Sequence, residues 1–368
     1  MNFGIPKEVR PFENRVGLVP AAVDSLARVG HTVFVEHNAG LKAGFTNEEY
    51  EAAGAQRVYT ASEAYGRAEV VVKISRPTDE EYHIFVPKQT ILSFLHLAVA
   101  SSDLLSTLRK EEITAIGCET IETLENELPI LQTTSDIAGR MAPTIAGDLL
   151  GSFKGGRGIL LSGIPGIPPA AVVIIGAGVV GINAARAFQN LGADVTLLDH
   201  VLNKLQKVDQ LFGGKLATMY ANPHNITKAV KFADVLLTAA SFPGERAPIL
   251  VTRQMLTKMR KGAVILDLAI NSGGNVETSR PTTLADPYFI VNNIIHYCVP
   301  NVPSRVARTG SYAFSNAILP YLLEFGRTGV DEALKKVPAL RRGVNTLKGK
   351  LVHPGVAAAI GSKVEVKL

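Results

Sequence analysis

The sequence predicts an α/β protein built on mostly parallel sheets. Three observations carry that expectation. Strand and helix patterns alternate along the chain. The 368 residues suffice for two domains of about 150 residues each. A glycine-rich strand–turn–helix motif opens the second half.

In order, "NFGIP" is a short strand, "AAVDSLARVG" an amphipathic helix closed by Gly30, and "TVFVE" the next strand. "EYEAAG" suggests a short helix, and "VVVKI", "TILSF" and "ITAIG" read as further strands. The glycine-rich "GGRGILLSGIPGIPP" (155–169) marks entry to a second series. That series is "AVVIIG", a helix to Leu191, "DVTLLD", "KLATMY", "DVLLTA", "AVILDLAI" and "FIVNN", a six-strand doubly wound half. Within it, 266–270 reads as a buried strand running into Asn271 and then a Ser-Gly-Gly turn. "AFSNAILPYLLEFGRTG" then reads as a long apolar helix.

Composition narrows the function classes. At 46% hydrophobic residues the chain can bury a sizeable core, which argues against disorder. Cys118 and Cys298 are too few for a disulfide framework or a cysteine metal site, so a reducing, cytoplasmic setting and no metal are expected. The charged "MNFGIPKEVRPFENR" lacks the apolar run of a signal peptide, and no apolar run is long enough to span a bilayer. Net charge is +5, with part of the excess at Lys335, Lys336, Arg341, Arg342, Lys348 and Lys350. No aromatic residues interleave these charges, so they read as a solvated face and not as a nucleic-acid surface.

The strongest local motif is "VVIIGAGVVGINAARAFQNLGADVTLLD". Gly176 permits the tight turn, Gly178 lets backbone approach a pyrophosphate, and Gly181 lets the helix pack on the strand. The helix N-terminus aims free N–H groups at the phosphates. G-x-G-x-x-G alone is weak; here a strand precedes it, a helix follows, and the next strand ends in Asp199. Asp199 suits ribose hydroxyls and repels a 2′-phosphate, so NAD is expected over NADP.

Candidate chemistry in the first half comes from polar residues near strand ends. Arg15 precedes a helix that starts at Pro20, and an arginine can hold a carboxylate bidentately. Lys73 and Ser75 share one face of "VVVKIS". His96 directly follows a strand, where it can exchange protons near neutral pH. Together they suit a small-acid site facing a nicotinamide.

Longer motifs make the chain resemble the alanine dehydrogenase family, which shares its fold with the soluble NAD-binding part of proton-translocating transhydrogenase. They are "GIPKEVRPFENRVGLVP", "FLHLA", "ILQTTSDIAGRMAP", "GGRGILLSGIPGIPPAAVVIIGAGVVG", "FPGERAPILVTRQM", "GGNVETSRPTT" and "HYCVPNVPS", spread over nearly the whole length. The resemblance implies two Rossmann-like doubly wound domains with a cleft between them. Residues 1–130 plus 308–368 would form the substrate domain, completed by the chain's end, and 131–307 the NAD domain. It makes Arg15 the holder of the substrate carboxylate and His96 the general acid/base. It places Ser135, Val180, Asp199, Lys204, Leu268, Arg280 and Asn301 against NAD. It also implies a homohexamer, to which the apolar helix segment 313–325 would contribute, and a small amino, keto or imino acid as substrate.

Two departures stand out. The family's lysine is Ser75 here, and its aspartate is Asn271. A tyrosine is also common where this chain has Cys118. Losing both ionic partners together keeps the site neutral. Lys73 is a candidate substitute for the missing lysine. Three readings follow: an alanine-type NAD-dependent amino-acid dehydrogenase with Lys73 or Arg76 compensating; an NAD(H) oxidoreductase with a changed substrate such as an imine; and a catalytically silent NAD-binding homologue.

Overall fold

The computed structural model describes residues 1–241 and 245–366; the first three residues of "FPGERAPILVTRQM" and the last two of the chain lie outside them. The described chain forms two compact units. One holds residues 1–134, Glu245 and 303–366, and the other holds 135–241 and 246–302. The division at 134/135 falls inside the helix Pro129–Leu150.

In chain order the strands are β1 (Asn2–Ile5), β2 (Thr32–Glu36), β3 (Gln56–Val58), β4 (Val70–Ser75), β5 (Thr90–Phe94), β6 (Thr114–Gly117), β7 (Ala171–Ile175) and β8 (Asp194–Asp199). They continue as β9 (Ala217–Tyr220), β10 (Val235–Thr238), β11 (Val264–Asp267), β12 (Tyr288–Val291), β13 (Ile294–Tyr297), β14 (Val344–Leu347) and β15 (Lys350–Leu351).

The first unit's sheet runs β15-β14-β6-β5-β4-β1-β2-β3. Its β1 to β6 pair in parallel, and the chain's direction of travel across the sheet reverses between β1 and β4. β14 and β15 add antiparallel pairings at the β6 edge. Neighbouring strand residues face opposite layers. Val70, Val72 and Ile74 pack with Phe3, Val23 and Leu26 in one core, while Val71 packs with Ile91 and Leu108 in another. The helix Ala307–Thr328 buries Phe314, Ile318, Leu322 and Phe325 in the first of these cores. Its three- and four-residue spacing makes one apolar stripe, so the stripe expected to serve assembly is taken up by the unit's own core.

The second unit's sheet runs β12-β13-β11-β10-β7-β8-β9 and is parallel except for β12. One expectation changes here. "FIVNN" does not supply the sixth parallel strand; it forms antiparallel β12, and the parallel strand is β13. Asn292 and Asn293 take positive φ (54° and 60°), making the two-residue turn that hairpins require. The "NN" pair is thus the turn of the hairpin and not the end of the strand. The strand expected at 266–270 also stops early, at Asp267, and Asn271 sits in the 3₁₀ turn Ile270–Ser272. Among the described residues no helix is long and apolar enough to cross a membrane.

Candidate functional site

In the first unit, charged residues gather beyond the carboxyl ends of β1, β4, β5 and β6. This is where open α/β sheets bind ligands, beside the reversal of strand order. Arg15 is buried, and its Nε and Nη2 donate to Glu13 Oε1 (2.8 Å) and Oε2 (2.7 Å). Ser75, at the end of β4, donates its hydroxyl to the same Glu13 Oε2 at 3.1 Å. Burial pushes the Glu13 carboxyl up, but the charge and hydrogen bonds of Arg15 outweigh it and hold the group below its usual range.

Lys73 is elsewhere engaged. Its Nζ lies 2.5 Å from Glu81 Oε1 and 3.5 Å from Glu8 Oε2, all buried. Tyr65 also donates to Glu81 Oε1 (3.2 Å), and Glu8 Oε1 accepts from the Ile74 N–H (2.6 Å). Burial opposes the ammonium, but Glu8 and Glu81 keep it charged. Lys73 is therefore committed to a buried ion-pair network instead of being free to replace the family's lysine. Glu8 carries the cost: burial pushes its carboxyl up to about 7 despite Lys73.

His96 follows β5 in a left-handed conformation (φ 45°, ψ 45°), strained for a residue with a side chain. Glu119, just beyond β6, holds it there. Its carboxylate accepts from the Leu95 N–H (3.1 Å) and the His96 N–H (2.6 Å). The imidazole stacks on Phe94, with centroids 6.1 Å apart. Burial pushes its pKa down, Glu119 pulls it up, and Arg76 and Arg10 push it down again. The net fall below 6.5 leaves a neutral imidazole at neutral pH, ready to take a proton. Cys118 is fully buried, and burial pushes its thiol well up, so it is an inert packing group.

In the second unit the three glycines of the motif differ in what surrounds them. Gly176 has φ 113°, and a Cβ there would lie 2.7 Å from the Ala239 carbonyl oxygen. A Cβ at Gly181 would lie 1.8 Å from the Gly176 carbonyl oxygen, so only glycine lets this helix approach. A Cβ at Gly178 would meet nothing within 4 Å. That open space lies at the start of the helix Val179–Asn190, whose first turn no side chain caps. Free N–H groups and the positive dipole end therefore face room for a pyrophosphate. The residues present fit NAD.

Asp199 ends β8 and is buried; Oδ2 accepts from the Ala177 N–H and Oδ1 from the Val201 N–H, both at 2.8 Å. Its charge is thus anchored to the glycine turn itself. Ser135 and Gly139 share the helix Pro129–Leu150, and a Cβ at Gly139 would lie 2.5 Å from the Val180 carbonyl oxygen. Lys204 is exposed near the start of the helix Leu202–Phe212. Leu268 follows β11 and donates its N–H to Thr238 (2.9 Å). Arg280 is exposed over the Phe289 ring at 4.2 Å, and Asn301 lies in the turn after β13.

Asn271 donates its amide Nδ2 to the Pro300 carbonyl oxygen at 2.7 Å. A carboxylate has no hydrogen to give there. The turn carrying Asn271 is held from below by Asp267, whose carboxylate accepts from the Asn275 (2.9 Å), Val276 (3.1 Å) and Ala269 (3.3 Å) N–H groups. Asn275 in turn accepts from the Ala240 N–H and donates to the Ala240 and Pro248 carbonyls.

Sequence reasoning missed Glu13, Glu119 and Asp267. Each had a signal: a carboxylate two residues before Arg15, another two residues past a strand, and a lone charge inside an apolar strand. No group of three or more metal-binding side chains converges among the described residues.

Comparisons with known proteins place the chain in a family. Residues 4–138 match the family "Alanine dehydrogenase/PNT, N-terminal domain", and 142–354 match "Alanine dehydrogenase/PNT, C-terminal domain". The chain is 42% identical to an alanine dehydrogenase of Methanococcus maripaludis, over 98% of this chain and 96% of that protein. It is also 42% identical to an alanine dehydrogenase of Bacillus subtilis, over 98% and 95%. A solved L-alanine dehydrogenase superposes with a TM-score of 0.91 at 42% identity, covering 98% of this chain and 99% of that one. A transhydrogenase from Sinorhizobium meliloti superposes at 0.78 with 25% identity, covering 96% and 99%. Matched along nearly its whole length in both domains, the chain belongs to the alanine dehydrogenase/PNT family.

Proposed function

We infer that this protein is an NAD-dependent oxidoreductase of the alanine dehydrogenase type, interconverting a small 2-amino acid with its 2-oxo acid and ammonia. NAD, when bound, supplies the hydride acceptor. The chain's own residues handle the rest. Arg15, braced by Glu13, orients the substrate carboxylate. His96, neutral at working pH, accepts the proton released from the amine or from the attacking water. In the reverse direction the imidazolium returns it. The observation that carries this reading is the neutral, rigidly seated His96, in a chain 42% identical to alanine dehydrogenases over nearly its full length.

The unit holding His96 acts as the substrate domain, and the unit with the glycine motif as the NAD domain. Gly176, Gly178 and Gly181 receive the pyrophosphate and Asp199 the adenosine ribose. Ser135, Val180, Lys204, Leu268, Arg280 and Asn301 line the rest of the cofactor, and Asn271 stands beside the nicotinamide. We place the enzyme in the cytoplasm as a homohexamer. Two buried free cysteines suit a reducing compartment. Phe153, Leu160, Ile164 and Ile167, all more than half exposed, give apolar surface for another copy to cover.

The test is NADH oxidation with pyruvate and ammonium, with light scattering for assembly. His96→Gln should lower turnover by about 10²–10⁴-fold while NADH binding persists. Unchanged turnover in that variant would remove His96 from the reaction, and a monomer at micromolar concentration would refute the assembly.

A further inference from the structure

The turn that carries His96 is fixed from a distant part of the chain. β5 and β6 stay paired as far as the Cys118 N–H, which donates to the Ser93 carbonyl (2.9 Å). Beyond that point the Leu95 and His96 N–H groups leave the ladder. Glu119 accepts them on separate oxygens, Leu95 on Oε2 and His96 on Oε1. The His96 carbonyl is held locally, by the Val99 N–H (3.0 Å). An amide side chain has one acceptor oxygen and would turn its NH₂ toward the second N–H, so this double contact requires a carboxylate. Glu119 is itself braced. It is buried in the turn 117–120, which the Thr120 N–H closes on the Gly117 carbonyl (3.0 Å). The Thr120 hydroxyl lies 3.0 Å from the Gly117 carbonyl and 3.1 Å from that of Gly343, and it accepts from the Asn345 amide of β14 (2.9 Å).

We propose that Glu119 is a positioning residue for the reaction, holding the His96 backbone in the left-handed turn that aims the imidazole at the substrate. This rests on the reaction assigned above. A strained backbone persists only where its surroundings over-determine it, and Glu119 supplies that constraint from outside the strained segment. The same carboxylate acts on the ring's charge. Burial pushes the imidazole pKa down, Glu119 pulls it up, and Arg76 and Arg10 push it down. Without Glu119, burial and the two arginines remain, and all three act downward. The helix Pro354–Ala359 also packs on the turn Leu97–Val99. Its capping residue His353 is pushed down by burial and pulled up by Glu119, and the net fall leaves it neutral at neutral pH. His353 Nδ1 accepts from the Val356 N–H (3.2 Å), so it adds no charge of its own.

The test separates the hold from the charge. Glu119→Gln keeps the side chain's length but removes the charge and one acceptor. Its kcat for alanine oxidation should fall about 10- to 100-fold, as expected when a hydrogen bond to a charged group is lost. KM for alanine should change little, because Arg15 holds the carboxylate. The acid limb of kcat/KM should move to lower pH, since a less basic imidazole is neutral at lower pH. Glu119→Asp keeps the charge but is one methylene short of the two N–H groups. Its kcat should fall while its acid limb stays nearer the parent's. NADH binding by each variant checks folding. Titration of the His96 ring by NMR, its signal identified by its loss in His96→Gln, reads the same shift without turnover. A merely structural Glu119 would lower the melting temperature and leave kcat, the acid limb and the ring titration as in the parent, and that result would overturn the proposal. So would a Glu119→Gln protein whose His96 ring titrates as in the parent. A ring shift in Glu119→Gln, with no turnover of alanine by the parent, would uphold the hold on His96 and overturn the reaction instead.

Discussion

Ser75 Oγ lies 3.1 Å from Glu13 Oε2 and donates to the carboxylate that Arg15 already grips. At this position, where the family resemblance leads to the expectation of a lysine, this chain has a neutral third partner in a closed ion pair. The substitution leaves the Glu13–Arg15 pair balanced without any substrate, since one carboxylate meets one guanidinium.

Ser75→Lys should unbalance that pair. The added ammonium leaves one uncompensated cation in a partly buried site, which should destabilise the free protein by about 1–3 kcal/mol. A bound carboxylate would restore neutrality, so pyruvate should raise the melting temperature of the variant more than that of the parent. Thermal melts with and without pyruvate check this. An equal ligand shift in both proteins would show that position 75 does not face the substrate.

Asn271→Asp should destabilise the second unit by about 0.5–1.5 kcal/mol, the net worth of one hydrogen bond in a partly buried site. The Pro300 carbonyl loses its donor and meets a carboxylate instead. Chemical denaturation at neutral pH measures the loss, and lowering pH should restore part of it by protonating the new carboxyl. Unaltered stability would mean that the amide contact contributes nothing.

NADH should bind much more tightly than NADPH, since the buried Asp199 carboxylate is fixed where β8 ends. Asp199→Ala should narrow that preference by at least about tenfold, or 1.4 kcal/mol, and lower stability as well, because two backbone N–H groups lose their acceptor. Calorimetric titration of both cofactors decides it; a parent that favours NADPH would refute the role.

Glu8 gives the protein a pH signature. Its folded pKa of about 7 lies above the usual carboxyl value, so the folded state holds a proton that the unfolded chain releases. The stability it contributes is complete below the unfolded value of about 4.5 and is lost as pH rises toward 7. Glu8→Gln removes this ionisation, so its melting temperature relative to the parent should climb between pH 5 and 8. A constant difference across that range would mean that Glu8 stays ionised.

Much of the architecture was legible because local patterns carry it. "TVFVE" and "TILSF" became β2 and β5 residue for residue, since β-branched and aromatic residues bounded by turns have few other uses. Short strands hid: β3, β14 and β15 have two to four residues, too few for a period. His96, Arg15, Ser75 and the glycines were named from the sequence. Their partners were not, because Glu13–Arg15–Ser75 spans 62 positions of chain and Glu119 lies 23 residues from His96.

By itself, then, the sequence determined the α/β class, the glycine turn and the family motifs, because these depend on steric and hydrogen-bonding rules that act over a few residues or a few turns. Tertiary structure alone decided which charges are spent. Lys73 and Arg76 stand three residues apart and look interchangeable as spare cations. Folding buries Lys73 against Glu81 and Glu8, and it leaves Arg76 with Arg10 at a cavity. The reason is physical: a charge's role depends on its dielectric surroundings and on counter-ions brought from distant strands, and neither is encoded in its neighbours along the chain.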